Sequence, residues 1–211
     1  MNYIATDDKI VFGMFLRSKK IMKNFNIILF DEFETLDAFG PAEVIGNLPD
    51  EYLLNCYSLK GGIVASSQRV SADTLPFSGI DTSGVLLIPG GFGVRALVND
   101  KEYIEQLRLL AEKAPYVLTV CTGSALLAKT GLLNGRNATT NKTVFDWACS
   151  NGPEVCWVKR ARWVKDGKFY TSSGVSAGLD MIFGFISDKH GADIADALAN
   201  EIEYVRNPDY F

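Results

Sequence analysis

Histidine is nearly absent: one residue in 211, His190. Cysteine hydrolases normally draw on an imidazole to activate the thiol and protonate the leaving group. His190 lies in Ser187-Asp188-Lys189-His190-Gly191, the pattern of an exposed helix end followed by a glycine stop, and reads as a solvated surface residue. A Cys-His dyad is therefore not expected. Cysteine is scarce too, at four residues, with no Cys-x-x-Cys and no dense spacing. That excludes a disulfide framework and a zinc site, and it fits a reducing, cytoplasmic setting. No metal or other cofactor is expected. Long apolar runs are missing as well. Residues 10–16 fall far short of the roughly 20 that a membrane span needs, and their acids come before the run and their basic cluster after it, the reverse of a signal peptide. The 21 basic residues are outnumbered by 25 acidic ones and scattered along the chain, so the net charge of −4 offers no stripe for nucleic acid. Internal repeats and low-complexity tracts are also lacking.

What is present is a globular composition, 47% hydrophobic, enough to bury one core. The first strand-like run begins only at Phe25. Residues 1–24 thus read as an N-terminal extension, with 1–21 arising from a start codon placed too early, and starting at Met22 should leave a folded protein. Residues 25–205 form the single domain and 206–211 a tail. Apolar runs at 25–30, 52–59, 84–89 and 116–120 read as buried parallel strands. Helical spacing occupies 35–47, 101–113 and 123–130 between them. This is an α/β chain with a doubly wound, mostly parallel sheet, whose ligands bind at the strands' carboxyl ends. Residues 63–75 and 162–172 read as hairpins added to that sheet, the second around Lys165-Asp166-Gly167-Lys168. Two closing helices are expected, one up to Ile186 and one over 192–205.

The chemistry concentrates on Cys121. It follows a buried strand and precedes a helix, so its sulfur stands at the sheet's carboxyl edge beside unpaired N–H groups that favour thiolate. Gly123 and Ser124 permit the cramped turn of a nucleophile elbow. Cys56, Cys149 and Cys156 read as buried structural cysteines. The strand over 85–89 ends in Gly90-Gly91-Phe92-Gly93, either a plain turn or a loop whose amides, with that of Thr122, form an oxyanion hole. Asp37 follows the first strand and is either a helix cap or a proton donor, with Glu43 in a supporting role.

Three segments together resemble the ThiJ/PfpI family of the class I glutamine-amidotransferase-like superfamily: Thr35-Leu36-Asp37-Ala38-Phe39-Gly40-Pro41, Ile88-Pro89-Gly90-Gly91 and Val120-Cys121-Thr122-Gly123-Ser124. Ala138-Thr139-Thr140 and the stretch from Ser173 to Asp180 extend the match over residues 24–204. The resemblance implies a flavodoxin-like fold and a homodimer. Thr122 stands where the protease and glyoxalase branches carry histidine, so the match is closer to isocyanide (isonitrile) hydratases, with Cys121, Asp37 and Thr122 as the working residues. Gly90, Gly91, Gly40, Asn141 and Ser173 are expected around the substrate. Asn141 departs from the histidine that similar sequences place there. Related regulators carry a helix-turn-helix domain after this fold, for which a chain ending at Phe211 leaves no room.

The expected activity is hydration of a small isocyanide to a formamide through a Cys121 thioimidate. The alternatives are a glyoxalase- or amidase-like enzyme, or a redox sensor that works through oxidation of Cys121.

Overall fold

The computed structural model describes residues 22–207, so the reading of residues 1–21 lies outside it. In chain order the first half runs β1 (Lys23–Ile28), α1 (Thr35–Gly46), β2 (Tyr52–Ser58), β3 (Lys60–Ala65), β4 (Ser71–Pro76), β5 (Val85–Ile88), α2 (Val94–Leu97) and α3 (Lys101–Lys113). The second half runs β6 (Tyr116–Thr119), α4 (Gly123–Lys129), β7 (Asn137–Ala138), α5 (Phe145–Ser150), β8 (Cys156–Trp157), β9 (Trp163–Asp166), β10 (Phe169–Ser172), α6 (Ala177–His190) and α7 (Ala192–Glu201).

Eight strands form one sheet in the order β3-β4-β2-β1-β5-β6-β10-β9. The six inner strands are parallel, and β3 and β9 run antiparallel along the two edges. Each expected hairpin therefore contributes one strand to the parallel sheet and one that closes its edge. All four residues of β5 are buried, as a central strand covered on both faces requires. Helices flank the sheet: α1 and α7 pack against α6, and α2 and α3 against α4. α3 shows why such a segment is helical. Asp100 caps it by accepting the Tyr103 N–H at 3.0 Å, and Tyr103, Leu107 and Ala111 repeat every four residues to bury one face.

The chain moves outward from β1 to β2 and β4, then returns to the other side of β1 at β5. The loops after β1 and β5 thus leave the sheet side by side at a switch point, where doubly wound sheets hold their ligands. They are joined by a bridge between Phe33 and Gly91 and by the Glu34 N–H donating to the Gly90 carbonyl at 2.8 Å.

Two expectations are corrected here. His190 is not a solvated surface residue: its Nε2 lies 2.9 Å from the Tyr52 hydroxyl, and the two rings meet edge to face. Tyr52 begins β2, so His190 lies at the amino-terminal edge of the sheet, opposite Cys121. Nor are the other three cysteines all buried: Cys156 is exposed, and Cys56 and Cys149 are only partly covered. At the carboxyl end, the Asn207 N–H and the Tyr204 hydroxyl donate to Asp180 Oδ1 at 2.8 and 3.1 Å, so the first residues of the expected tail are tied to α6.

Candidate active site

Cys121 connects β6 to α4 with φ of 56°, a left-handed conformation that costs a non-glycine residue of order 1–3 kcal/mol. The surrounding backbone holds it there. The Cys121 N–H donates to the Ser172 carbonyl at 3.2 Å, and the Cys121 carbonyl accepts from the Ser124 hydroxyl at 2.9 Å and the Thr140 hydroxyl at 3.1 Å. Gly123 is required by crowding: a Cβ there would stand 2.2 Å from the Ile88 carbonyl oxygen. The expected elbow is present, with the sulfur opening on a cavity.

The sulfur is ringed by donors. Asn141 Nδ2 donates to Cys121 Sγ at 3.1 Å, and its Oδ1 accepts the Thr143 N–H at 2.8 Å, which fixes which end of the amide faces the thiol. Both the backbone N–H and the hydroxyl of Thr122 also reach Cys121. The Thr122 hydroxyl oxygen already accepts the Gly91 N–H at 3.2 Å, so its own proton is free for the sulfur.

Asp37 completes the centre. It lies in the first turn of α1 with no exposure, and the capping position belongs to Glu34, so the cap alternative does not hold. Its Oδ2 accepts the Gly90 N–H at 2.9 Å, while Oδ1 makes no full hydrogen bond among the described residues. Burial outweighs the Gly90 N–H and raises the Asp37 carboxyl from 3.8 to about 7, with Glu34 adding to the rise. Burial, then the negative charge of Asp37, pushes the Cys121 thiol up to about 12 against the pull of its three donors. The expectation that helix N–H groups would leave a standing thiolate is thereby corrected. Burial thus works against the charged form of both groups and leaves a thiol beside a carboxyl able to hold or release a proton near neutral pH.

The Gly-rich loop serves a different end from an open oxyanion hole. The Gly90 amide is committed to Asp37 and that of Gly91 to Thr122, so the loop orients the two groups beside Cys121. Glycine is needed because a Cβ on Gly90 would meet the Thr122 nitrogen at 2.7 Å, and one on Gly91 the Glu32 carbonyl oxygen at 2.2 Å.

Gly40 lies where α1 packs on α6, and a Cβ there would meet Leu179 at 3.2 Å; it is a helix-packing position. Ser173 is buried after β10, its N–H on the Arg162 carbonyl, and neither it nor Gly40 lines the cavity over the sulfur. Glu43 faces a separate depression. The cavity of about 290 Å³ that opens on Cys121, Thr122 and Asn141 is walled instead by Phe92, Val144, Trp147 and Val175, with Glu34 and Arg95 at its rim. None of these six stands out in the sequence as a site residue. Three of them carry an indirect signal: Phe92 lies inside the Gly-rich loop, Glu34 among the acids after the first strand and Val175 within the matching stretch from Ser173 to Asp180. No cluster of three or more metal-ligating side chains occurs among the described residues, and no helix there is long and apolar enough to cross a membrane.

A parallel sheet with a strained cysteine elbow and a buried carboxylate at its switch point defines a flavodoxin-like α/β protein with a cysteine-centred site. The chain belongs to the DJ-1/PfpI family, whose model matches residues 23–188. It is 31% identical to isonitrile hydratase from Pseudomonas putida, over 87% of this chain and 79% of that enzyme. It is 26% identical to the HTH-type transcriptional regulator GbdR from Pseudomonas aeruginosa, and spans about half of that protein's length. Among solved structures, a ThiJ/PfpI family protein from Pseudomonas syringae superimposes with a TM-score of 0.80 at 25% identity, covering 97% of this chain and 84% of that one. Drosophila melanogaster DJ-1beta shares the fold with a TM-score of 0.74 at 20% identity, over 88% of this chain and the whole of the other.

Proposed function

We propose that the protein hydrates small isocyanides to N-substituted formamides, with Cys121 as nucleophile and Asp37 as the group that moves protons. The observation that carries this reading is a fully buried carboxyl, Asp37, held by the Gly90 N–H beside the Cys121 thiol, under a cavity whose lining contains no histidine. An isocyanide needs such a pair. The Cys121 sulfur bonds to the terminal carbon while Asp37 accepts the thiol proton and returns it to that carbon, giving R–N=CH–S–Cys121. Water then adds to the same carbon. Asp37 takes one of its protons, nitrogen gains a proton, the C–S bond breaks, and the sulfur is reprotonated as R–NH–CHO departs. Water is consumed and no metal, oxidant or amine leaving group takes part. The donors from Thr122 and Asn141 stabilise the sulfur's charge as it develops on attack and on departure. The similarity to a named isonitrile hydratase supports the same reading.

The two rivals fare less well. Amide cleavage requires an acid to protonate the leaving amine and glyoxalase-like chemistry a base to shuttle a carbon-bound proton, roles that a histidine would fill, and His190, the chain's one histidine, lies at the opposite edge of the sheet. Redox sensing draws on a thiol that is readily ionised, and burial and the charged form of Asp37 both work against ionisation of this one. We also assign the protein a small-molecule substrate, a homodimeric state and a reducing, cytoplasmic setting. A light-scattering mass near that of one chain would contradict the dimer.

The test is formamide formation from cyclohexyl isocyanide followed by ultraviolet absorbance. Wild type should turn over and Cys121→Ala should not. Failure of reduced wild type across a varied isocyanide panel, while Cys121 still reacts with other electrophiles, would end the hydratase reading.

A further inference from the structure

The rim of the cavity carries a charge that the hydration of a neutral isocyanide does not use. Arg95, on α2, lays its guanidinium over the Trp147 ring at 4.8 Å from the ring centroid, and both line the wall above Cys121. Its side chain has no hydrogen-bond acceptor and no carboxylate among the described residues; its bonds are those of the backbone, the N–H to the Phe92 carbonyl and the carbonyl to Asn99. Glu34, the carboxylate on the same rim, forms no ion pair with it among the described residues. Its Oε2 accepts from Gln68 Nε2 at 3.1 Å, and the Gln68 carbonyl accepts in turn from Thr35. The stacked guanidinium is thus a planar donor fork held in place by an aromatic face, a pre-organised partner for a carboxylate. Phe92, Val144, Trp147 and Val175 supply apolar surface to the cavity that it shares with Cys121. At about 290 Å³ the space matches the small end of ligand cavities and admits a short aliphatic or single-ring substituent.

The geometry points to a site that selects compounds bearing a carboxylate on the far end of a compact apolar substituent, bound by Arg95 while the reactive carbon meets Cys121. For isocyanides this assignment rests on the hydratase reading; the preference for anions does not, because any electrophile that reaches the sulfur passes the same guanidinium. Arg95 is accordingly a specificity residue, and Trp147 positions it.

The test uses two reagent pairs on wild type, Arg95→Gln and Arg95→Lys. The first is 4-isocyanobutanoate against its methyl ester, read as kcat/KM. The second is iodoacetate against iodoacetamide, read as the rate of Cys121 alkylation by mass spectrometry. In wild type the acid should be favoured over the ester by about tenfold, the worth of one charge-assisted hydrogen bond at a half-exposed rim. Arg95→Gln should collapse that ratio and lower the iodoacetate-to-iodoacetamide ratio in step, with Arg95→Lys intermediate because it keeps the charge without the planar fork. An isocyanide ratio that does not move in Arg95→Gln, including the case where both rates fall together, overturns the proposal. If no isocyanide reacts, the alkylation ratio decides: a drop in Arg95→Gln retains the anion site and discards the hydratase reading, and an unmoved ratio discards both.

Discussion

Replacing Asp37 with asparagine should make the protein inactive and, above neutral pH, more stable. Asparagine keeps an oxygen for the Gly90 N–H but carries no charge into a site with no exposure. The wild-type carboxyl is raised from 3.8 to about 7, so over that interval the folded protein retains a proton that the unfolded chain has released. Stability must then fall as pH rises, by about 1.4 kcal/mol per pH unit, to a total of about 4 kcal/mol by pH 7. Below pH 3.8 both states hold the proton and the penalty vanishes. The Asp37→Asn variant escapes it, at the lesser cost of burying an amide N–H₂. The variant should therefore gain roughly 2–4 kcal/mol at pH 8, or roughly 5–15 °C in melting temperature for a chain of this size. The gain should shrink steadily toward pH 4. Thermal melts of both proteins between pH 4 and 8 check this directly. A difference that stays constant with pH, or an asparagine variant that melts lower at pH 8, would refute the burial argument for Asp37.

Three further outcomes follow from the same geometry. Because the base form of Asp37 appears as pH rises through about 7, kcat/KM should increase across that range and level off above it; a decline between pH 6 and 8 would contradict the assignment of Asp37 as base. Asn141→Ala removes the donor 3.1 Å from the sulfur, so titration of the thiol absorbance should show Cys121 harder to ionise and kcat should fall by roughly a hundredfold. Gly123→Ala forces a Cβ to within 2.2 Å of the Ile88 carbonyl oxygen and should cost more than about 2 kcal/mol, measured by the urea midpoint.

The parts of the fold visible in the sequence are those fixed by local pattern. α3 occupies residues 101–113 as read, because a capping aspartate and a four-residue apolar repeat both mark it. β1 starts two residues before its apolar run, at Lys23-Asn24, because pairing with Tyr52 and Leu53 uses backbone groups and asks nothing of the side chains. β7, α5 and β8 are too short to carry a period: the two strands have two residues each, and their pairing spans a separation that no window reveals. Cys121 is legible because its chemistry is local, a strand, a cysteine and a small-residue turn. Read from local pattern alone, without the family resemblance that singles it out, Asp37 is legible only as one of two acids. What decides between them is the Gly90 amide, 53 positions away in sequence. The cavity wall is not legible at all, since Arg95 and Trp147 meet only after α2 and α5 have packed around α4. The state of the thiol escapes the sequence for a related reason: helix N–H groups can be inferred from a strand-to-helix turn, but the burial and the facing carboxylate that outweigh them belong to the assembled site.

The central claim is that an isocyanide carbon becomes bonded to Cys121 on its way to formamide. Acid-quenched single turnovers of wild type with cyclohexyl isocyanide, digested and mapped by mass spectrometry, test it most directly. The peptide holding Cys121 should gain the mass of one isocyanide before formamide appears and lose it as formamide accumulates, and Cys121→Ala should show neither event. Formamide production with Cys121 unmodified at every time point, or retained in Cys121→Ala, would contradict the account.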